Sequence, residues 1–134
     1  MPYTKLCVHV VISTYRRKPV LERKYDTALY GLIGGITKEM GGISYAVNGW
    51  VDHVHIVCEL PPSLCVSKYI CRIKSQSSGM LKRKFSALQN FRWSKGYSAF
   101  SVRADKCMGV VRYVRNQKRH HGDEDLRPEW EKWD

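Results

Sequence analysis

The sequence predicts an α+β domain of the ferredoxin-like, split βαβ kind: an antiparallel sheet with helices on one face, plus a C-terminal helix. Three observations predict it. Segments of period 2 and period 3.6 alternate in the order β-α-β-β-α-β-α. The two middle strands are joined by Asn48-Gly49, a two-residue hairpin signal, and are therefore antiparallel neighbours. A chain of 134 residues suffices for one buried core but not for two.

The first strand, Leu6 to Ser13, is apolar and β-branched on both faces, which suits a central position. His9 lies on it and reads as a hydrogen-bonded histidine inside the sheet, because no second metal-binding residue flanks it. A basic turn, Tyr15 to Pro19, closes the strand. A helix then carries Leu21, Tyr25, Ala28, Leu29, Leu32, Ile33, Ile36 and Met40 at 3-4 spacing, with Pro19 suited to its start and Gly41-Gly42 to its end. Gly31, Gly34 and Gly35 within it mark a kink or a close approach of a neighbouring backbone. Ile43 to Val47 alternates as the second strand, and Trp50 opens the third, which Pro61-Pro62 stops. Ser63 or Ser67 caps a second helix with Val66, Ile70, Ile73, Ser77 and Met80 or Leu81 inward. Residues 85 to 96 read as irregular, with Phe85, Phe91 and Trp93 either stacking on unpaired bases with Arg92 and Lys95 or, the commoner use of such residues, anchoring the loop to the core. Tyr97 to Val102 is the fourth strand. The last helix runs from Ala104-Asp105 to about His121 on a core stripe of Cys107, Val110, Val111 and Val114. His120-His121 is read as a helix end favoured by the macrodipole.

Charge narrows the function. The chain carries +11, and residues 122 to 134 hold six of its twelve acids, leaving residues 1 to 121 with 21 bases against six acids. A domain spanning 1–121, with 122–134 as an acidic tail, is thus strongly basic. Self-repulsion opposes compaction, so such a charge points to a polyanionic partner, nucleic acid first. Apolar residues make up 43%, but no run reaches the roughly 18 needed to span a bilayer, and the N-terminus lacks the apolar core of a signal peptide. A cytoplasmic protein without membrane partners is expected. Five cysteines with no close pair read as reduced, mostly small core residues.

One stretch departs from simple patterning. In Val51-Asp52-His53-Val54-His55-Ile56-Val57-Cys58, strand alternation puts His53 and His55 on one face, about 7 Å apart, and Val54, Ile56 and Cys58 on the other. Two imidazoles so placed can converge on one ion. Asp52, of opposite parity, is expected to orient the turn rather than bind metal. On the last helix Tyr113 and Gln117 are one turn apart, beside the core stripe. There is no HExxH, no calcium loop, no cysteine pair and no phosphate-binding Gly-Lys-Ser/Thr loop.

Asn48 to Val57, with its histidine, bulky hydrophobic, histidine core, resembles the HUH motif of single-tyrosine transposases of bacterial insertion sequences, the superfamily that includes REP-associated transposases. Gly96 to Val102 followed by Tyr113-Val114-Arg115-Asn116-Gln117 is similar to the segment of that family holding its tyrosine and glutamine. The resemblance covers about 120 residues in the right order, and the joint occurrence of the two motifs is more specific than either alone. It implies that Tyr113 attacks single-stranded DNA to form a 5′-phosphotyrosine and free a 3′-OH. It also implies that His53, His55 and Gln117 hold Mg²⁺ or Mn²⁺. Further implications are recognition of DNA hairpins at the ends of a mobile element, a homodimer whose active sites can be shared between chains, and a bacterial or archaeal host. Arg16, Arg17, Lys18, Lys74, Lys82, Arg83 and Lys84 are the candidates for DNA backbone contacts.

Two other readings stand beside it. One is a domesticated, non-mobile relative that nicks DNA. The other is a non-enzymatic module of the RRM type, for which Lys95 to Phe100 partly matches the RNP pattern. That module leaves His53, His55 and Gln117 unexplained.

Overall fold

The computed structural model describes residues 3–118. His120, His121, the helix end expected near His121 and the acidic segment 122–134 lie outside the described residues. Four strands, β1 (Cys7–Ser13), β2 (Ile43–Trp50), β3 (His53–Glu59) and β4 (Ser98–Val102), form one antiparallel sheet in the order β2-β3-β1-β4. Three helices accompany it: α1 (Asp26–Glu39), α2 (Val66–Lys84) and α3 (Cys107–Arg115). This is the expected split βαβ order, with the two most apolar strands at the centre.

Those central strands are buried on both sides because two cores share them. Val10, Ile12, Val54, Ile56 and Cys58 face Leu29, Ile33 and Ile36 of α1 and Ile70, Ile73 and Leu81 of α2. Cys7, Ala46 and Val57 face Cys107, Val110, Val111 and Val114 of α3 on the opposite side. Strand parity then decides the rest: the face that carries Val57 also carries His55 and His53, so the histidines lie under α3. All five cysteines are free, and Cys7, Cys58 and Cys107 are buried. Burial, aided by contact with Cys107, pushes the Cys7 thiol up to about 12. No described helix is long and apolar enough to cross a membrane.

Several local expectations are corrected. The Asn48-Gly49 pair is not the hairpin turn. Both residues lie inside β2, opposite His55 and Val54, and the turn is Val51-Asp52, with Trp50 opposite His53. Asn48 has long-range partners instead: its Nδ2 donates to the Arg115 carbonyl at 3.0 Å and its Oδ1 accepts from Lys118 Nζ at 3.0 Å. Local turn preference loses to that tertiary pairing. α1 starts at Asp26, not near Pro19, because the chain from 18 to 22 is held by the sheet's end, with Leu21 N–H donating to the Val51 carbonyl at 2.8 Å. Leu21 and Tyr25 still join the core from this lead-in. α2 has Cys65 at its N-cap and no side-chain cap, so neither Ser63 nor Ser67 serves. α3 is preceded by a 3-10 turn, Ala104–Lys106, and closes at Arg115 with a turn at Asn116, after which Gln117 and Lys118 are helical again.

The helix glycines separate by environment. A Cβ at Gly34 would sit 3.8 Å from Ser44 Oγ, whereas at Gly31 and Gly35 it would meet nothing within 4 Å. No close approach explains those two exposed positions. Gly35→Ala is therefore expected to stabilise the fold by about 0.5–1 kcal/mol, through lower unfolded-state entropy, as checked by urea unfolding.

A candidate active site beneath the last helix

His53 opens β3 and is completely buried, and its ring is held from behind. Its Nδ1 lies 2.8 Å from Asp52 Oδ1, while Asp52 Oδ2 accepts from Arg17 at 2.8 and 3.1 Å. Burial alone would raise the Asp52 carboxyl, but the His53 hydrogen bond and the charges of His53 and Arg17 outweigh it and hold the group below its ordinary range. A carboxylate can only accept, so His53 carries a proton on Nδ1, and in the neutral form of the ring Nε2 is the acceptor nitrogen. That nitrogen faces the Gln117 side-chain amide at 3.4 Å. The parity argument kept Asp52 away from His53; it fails because Asp52 belongs to the turn, not to the strand. Instead of orienting only the turn, Asp52 bonds the His53 ring itself.

Arg17 reaches Asp52 through unusual backbone. Arg16 and Arg17 both have φ of 55°, in the left-handed region where consecutive non-glycine residues are rare. Two strained residues are thus spent on aiming one guanidinium at the carboxylate behind His53.

His55 is the second ring, fully buried, its centroid 5.1 Å from that of His53 and its plane turned by 74°. Its Nδ1 meets His9 Nε2 at 2.8 Å. Tyr113 approaches from α3 with its ring edge-on to His55 at 6.2 Å between centroids. Tyr113 is 4% exposed and packs with Val110, Val111 and Val114, and Gln117 is fully buried.

The end of α3 is pinned to the sheet. Lys118 Nζ donates to Gly49 O at 2.9 Å, Asn48 Oδ1 at 3.0 Å and Tyr30 Oη at 3.2 Å, and pairs with Asp26 Oδ2 at 3.0 Å. Together with the bond from Asn48 to Arg115, this sets the depth at which Tyr113 and Gln117 meet the histidines. The halves predicted on β3 and on the last helix thus come together within one chain.

The expected DNA-contacting residues divide. Arg17 is committed to Asp52. Arg16 stands 5.2 Å over the Tyr15 ring, with Arg92 4.1 Å from the same ring. Lys18 lines a neighbouring cleft with Tyr15, Asn90 and Arg92. Lys74 does not project freely: its ammonium donates to the carbonyls of Ser94 at 2.7 Å, Lys95 at 3.2 Å and Gly96 at 2.6 Å, clamping the approach to β4. Lys82, Arg83 and Lys84 are exposed at the end of α2, whose buried residues pack on the sheet face opposite the histidines. Lys82 and Lys74 border a cleft of about 470 Å³ between α2 and the 91–97 segment, together with Arg92, Lys95 and Tyr97. Phe91 and Trp93, as expected, anchor that segment to the core, with Trp93 Nε1 donating to Ser77 Oγ at 3.0 Å.

Sequence reasoning missed what lies behind the site. His9 and Asp52 were noted, but their partners depend on strand register and turn position. Asn48 reads locally as a turn residue and Lys118 as one more cation, and neither reveals the tie between β2 and the end of α3.

Two strand histidines, a glutamine and a tyrosine gathered between a split βαβ sheet and its last helix define a protein with a nitrogen- and oxygen-rich buried site on a basic domain. The chain belongs to the IS200-like transposases: the family model described as "Transposase IS200 like" matches residues 2–117. It is thus a member of a transposase family, whose work is on DNA. Comparison with curated proteins gives no match. Among solved structures it is similar to a protein of Deinococcus radiodurans R1 assigned as a transposase, with TM-score 0.72 and 21% identity over 87% of this chain and 93% of that one. It is also similar to a REP-associated tyrosine transposase bound to a REP hairpin, with TM-score 0.68 and 18% identity over 91% of this chain and 72% of that one. These likenesses establish the shared fold. The chain's own topology weighs against the RRM-type reading, because its RNP-like segment leads into the edge strand β4 while α3 packs against β2 and β3.

Proposed function

We propose that the chain cleaves and rejoins single-stranded DNA through Tyr113, with DNA hairpins at element ends as its targets. The observation that carries the reading is the meeting of Tyr113 and Gln117 with the His53–His55 pair inside a single chain. In cleavage the Tyr113 phenolic oxygen attacks phosphorus, the bond from phosphorus to O3′ breaks, and the strand is left as a 5′-phosphotyrosine and a 3′-OH. The phenolic proton is balanced by the proton the departing O3′ takes up. Rejoining reverses the same exchange with another 3′-OH, so no nucleotide cofactor is consumed.

The donor set fits a divalent cation. His53 Nε2 lies 3.4 Å from the buried Gln117 carboxamide, and His55 is its neighbour on the same face. His53, His55 and Gln117 would hold Mg²⁺ or Mn²⁺, and two imidazole ligands favour Mn²⁺ over the harder Mg²⁺. When bound, such an ion would supply positive charge to offset the charge that develops on the scissile phosphate and its leaving group. The chain's own part is positional: the α3 packing holds the phenol beside His55, and the buried surroundings keep water from the phosphotyrosine. Arg16, Lys18 and the exposed cations at the end of α2 offer phosphate contacts outside the site. A homodimer is also proposed, although the two halves of the site need no second chain to meet.

The test is a covalent one. The full chain, incubated with single-stranded oligonucleotides carrying a library of hairpins with randomised flanks, is expected to give an SDS-resistant protein–DNA adduct with Mn²⁺ or Mg²⁺. The adduct should disappear with EDTA and return on adding metal back. Adducts formed only on duplex DNA, or formed equally in EDTA, would overturn the reading; binding of hairpins without any adduct would favour a purely binding role.

A further inference from the structure

We infer that His9 is a positioning residue that selects the tautomer of His55, leaving His55 Nε2 bare toward the site in the way Asp52 does for His53. The inference rests on the reading of His55 as a metal ligand and adds a residue that the reading does not contain.

The geometry comes from register. His55 lies opposite Val11 on β1, so His9 is its diagonal neighbour on the same face of the sheet. Diagonal pairs are within reach of ring side chains, and here the rings approach with centroids 5.0 Å apart and planes 22° from parallel. The His9 Nε2 to His55 Nδ1 distance of 2.8 Å is that of a hydrogen bond between two buried imidazoles.

Between neutral rings such a bond has only two forms. In one, His9 donates and His55 accepts on Nδ1, so the His55 proton sits on Nε2 and blocks ligation. In the other, His55 donates from Nδ1 and its Nε2 is bare. His53 has no such choice, because a carboxylate holds its Nδ1 proton. With His9 as acceptor, both histidines of β3 have an unprotonated Nε2, that of His53 lying 3.4 Å from Gln117. No change of charge is involved.

Packing alone does not call for an imidazole at position 9. The flanking residues Val8, Val10, Val11 and Ile12 are aliphatic, and a polar ring that is 1% exposed costs free energy unless its hydrogen bonds are made. Metal-bound histidines are regularly held in this way by an acceptor on the far nitrogen, and loss of that acceptor weakens metal binding by about 10–100-fold.

The test uses the full chain in two measurements. First, long-range ¹H–¹⁵N correlation spectra of metal-free, histidine-labelled protein are expected to show His55 protonated on Nδ1 and bare on Nε2. His9→Phe should lose that preference, and His9→Gln, whose amide oxygen can accept, should restore it. Second, calorimetric titration with Mn²⁺ alone should show a loss of about 10–100-fold in affinity for His9→Phe, and of no more than about threefold for His9→Gln. His9→Met replaces His9→Phe if the larger ring prevents folding, as judged by circular dichroism. A wild-type His55 protonated on Nε2, or an apolar variant with unchanged tautomer and unchanged Mn²⁺ affinity, overturns the inference. His53→Ala separates the two readings: Mn²⁺ binding that ignores it removes the metal assignment, while the spectra still decide what His9 does.

Discussion

Tyr113→Phe is expected to abolish covalent DNA adducts, by at least about 10³-fold, with hairpin binding and fold retained. The substitution removes one oxygen and keeps the ring that packs with Val110, Val111 and Val114 and lies edge-on to His55. A stability change of about 1 kcal/mol is the scale for one lost hydroxyl interaction. Three other phenols are engaged elsewhere, Tyr30 with Lys118, Tyr45 with Glu59 and Tyr69 with Thr37. Burial, followed by the charge of Asp26, raises Tyr30 well above the ordinary range near 10, and burial does the same to Tyr69. Tyr45 is raised by its hydrogen bond to Glu59. None of these three rings contacts His53 or His55 in the described structure, whereas Tyr113 does. Denaturing gels with labelled hairpin DNA, run beside a binding assay on native gels, check the prediction. Wild-type levels of adduct on the phenylalanine variant would remove Tyr113 from the mechanism.

How much of this was legible beforehand follows a physical division. Features set by a residue's own segment were readable. Strand period placed His53 and His55 together and Val54, Ile56 and Cys58 opposite, and helix period gave the stripe of Cys107, Val110, Val111 and Val114. The spacing of Tyr113 and Gln117 gave their common side, although it put them at the margin of the buried face and they are buried outright. Features set by another segment were not readable. That His9 touches His55 requires the β1–β3 register. That Lys74 clamps Ser94 to Gly96 requires the path of a loop twenty residues away, and a charge count cannot tell such a lysine from one facing phosphate. Arg17 was assigned to DNA on the same count, and its role behind Asp52 depends on a backbone conformation that no propensity favours.

The Asn48-Gly49 pair gives the second large expectation. Gly49→Ala should destabilise the fold by about 3 kcal/mol, lowering Tm on the order of 10 °C, where Gly35→Ala acts in the other direction. A Cβ at Gly49 would fall 2.2 Å from the His53 carbonyl oxygen and 2.9 Å from Val54 Cα. Both are backbone atoms of the paired strand, so no side chain can swing away and β2 must separate from β3. The damage does not stop at stability. The Gly49 carbonyl accepts from Lys118, and the adjoining Asn48 accepts from Lys118 and donates to Arg115, so displacing this segment loosens the end of α3. Gln117 and Tyr113 ride on that end. Adduct formation by Gly49→Ala is therefore expected to fall even at temperatures where circular dichroism shows it folded, in contrast to Gly35→Ala, which should keep wild-type activity. A Gly49→Ala variant that melts with the wild type would mean that β2 and β3 do not approach so closely at this point, and a folded variant with full activity would mean that α3 does not depend on this segment for its depth over the histidines.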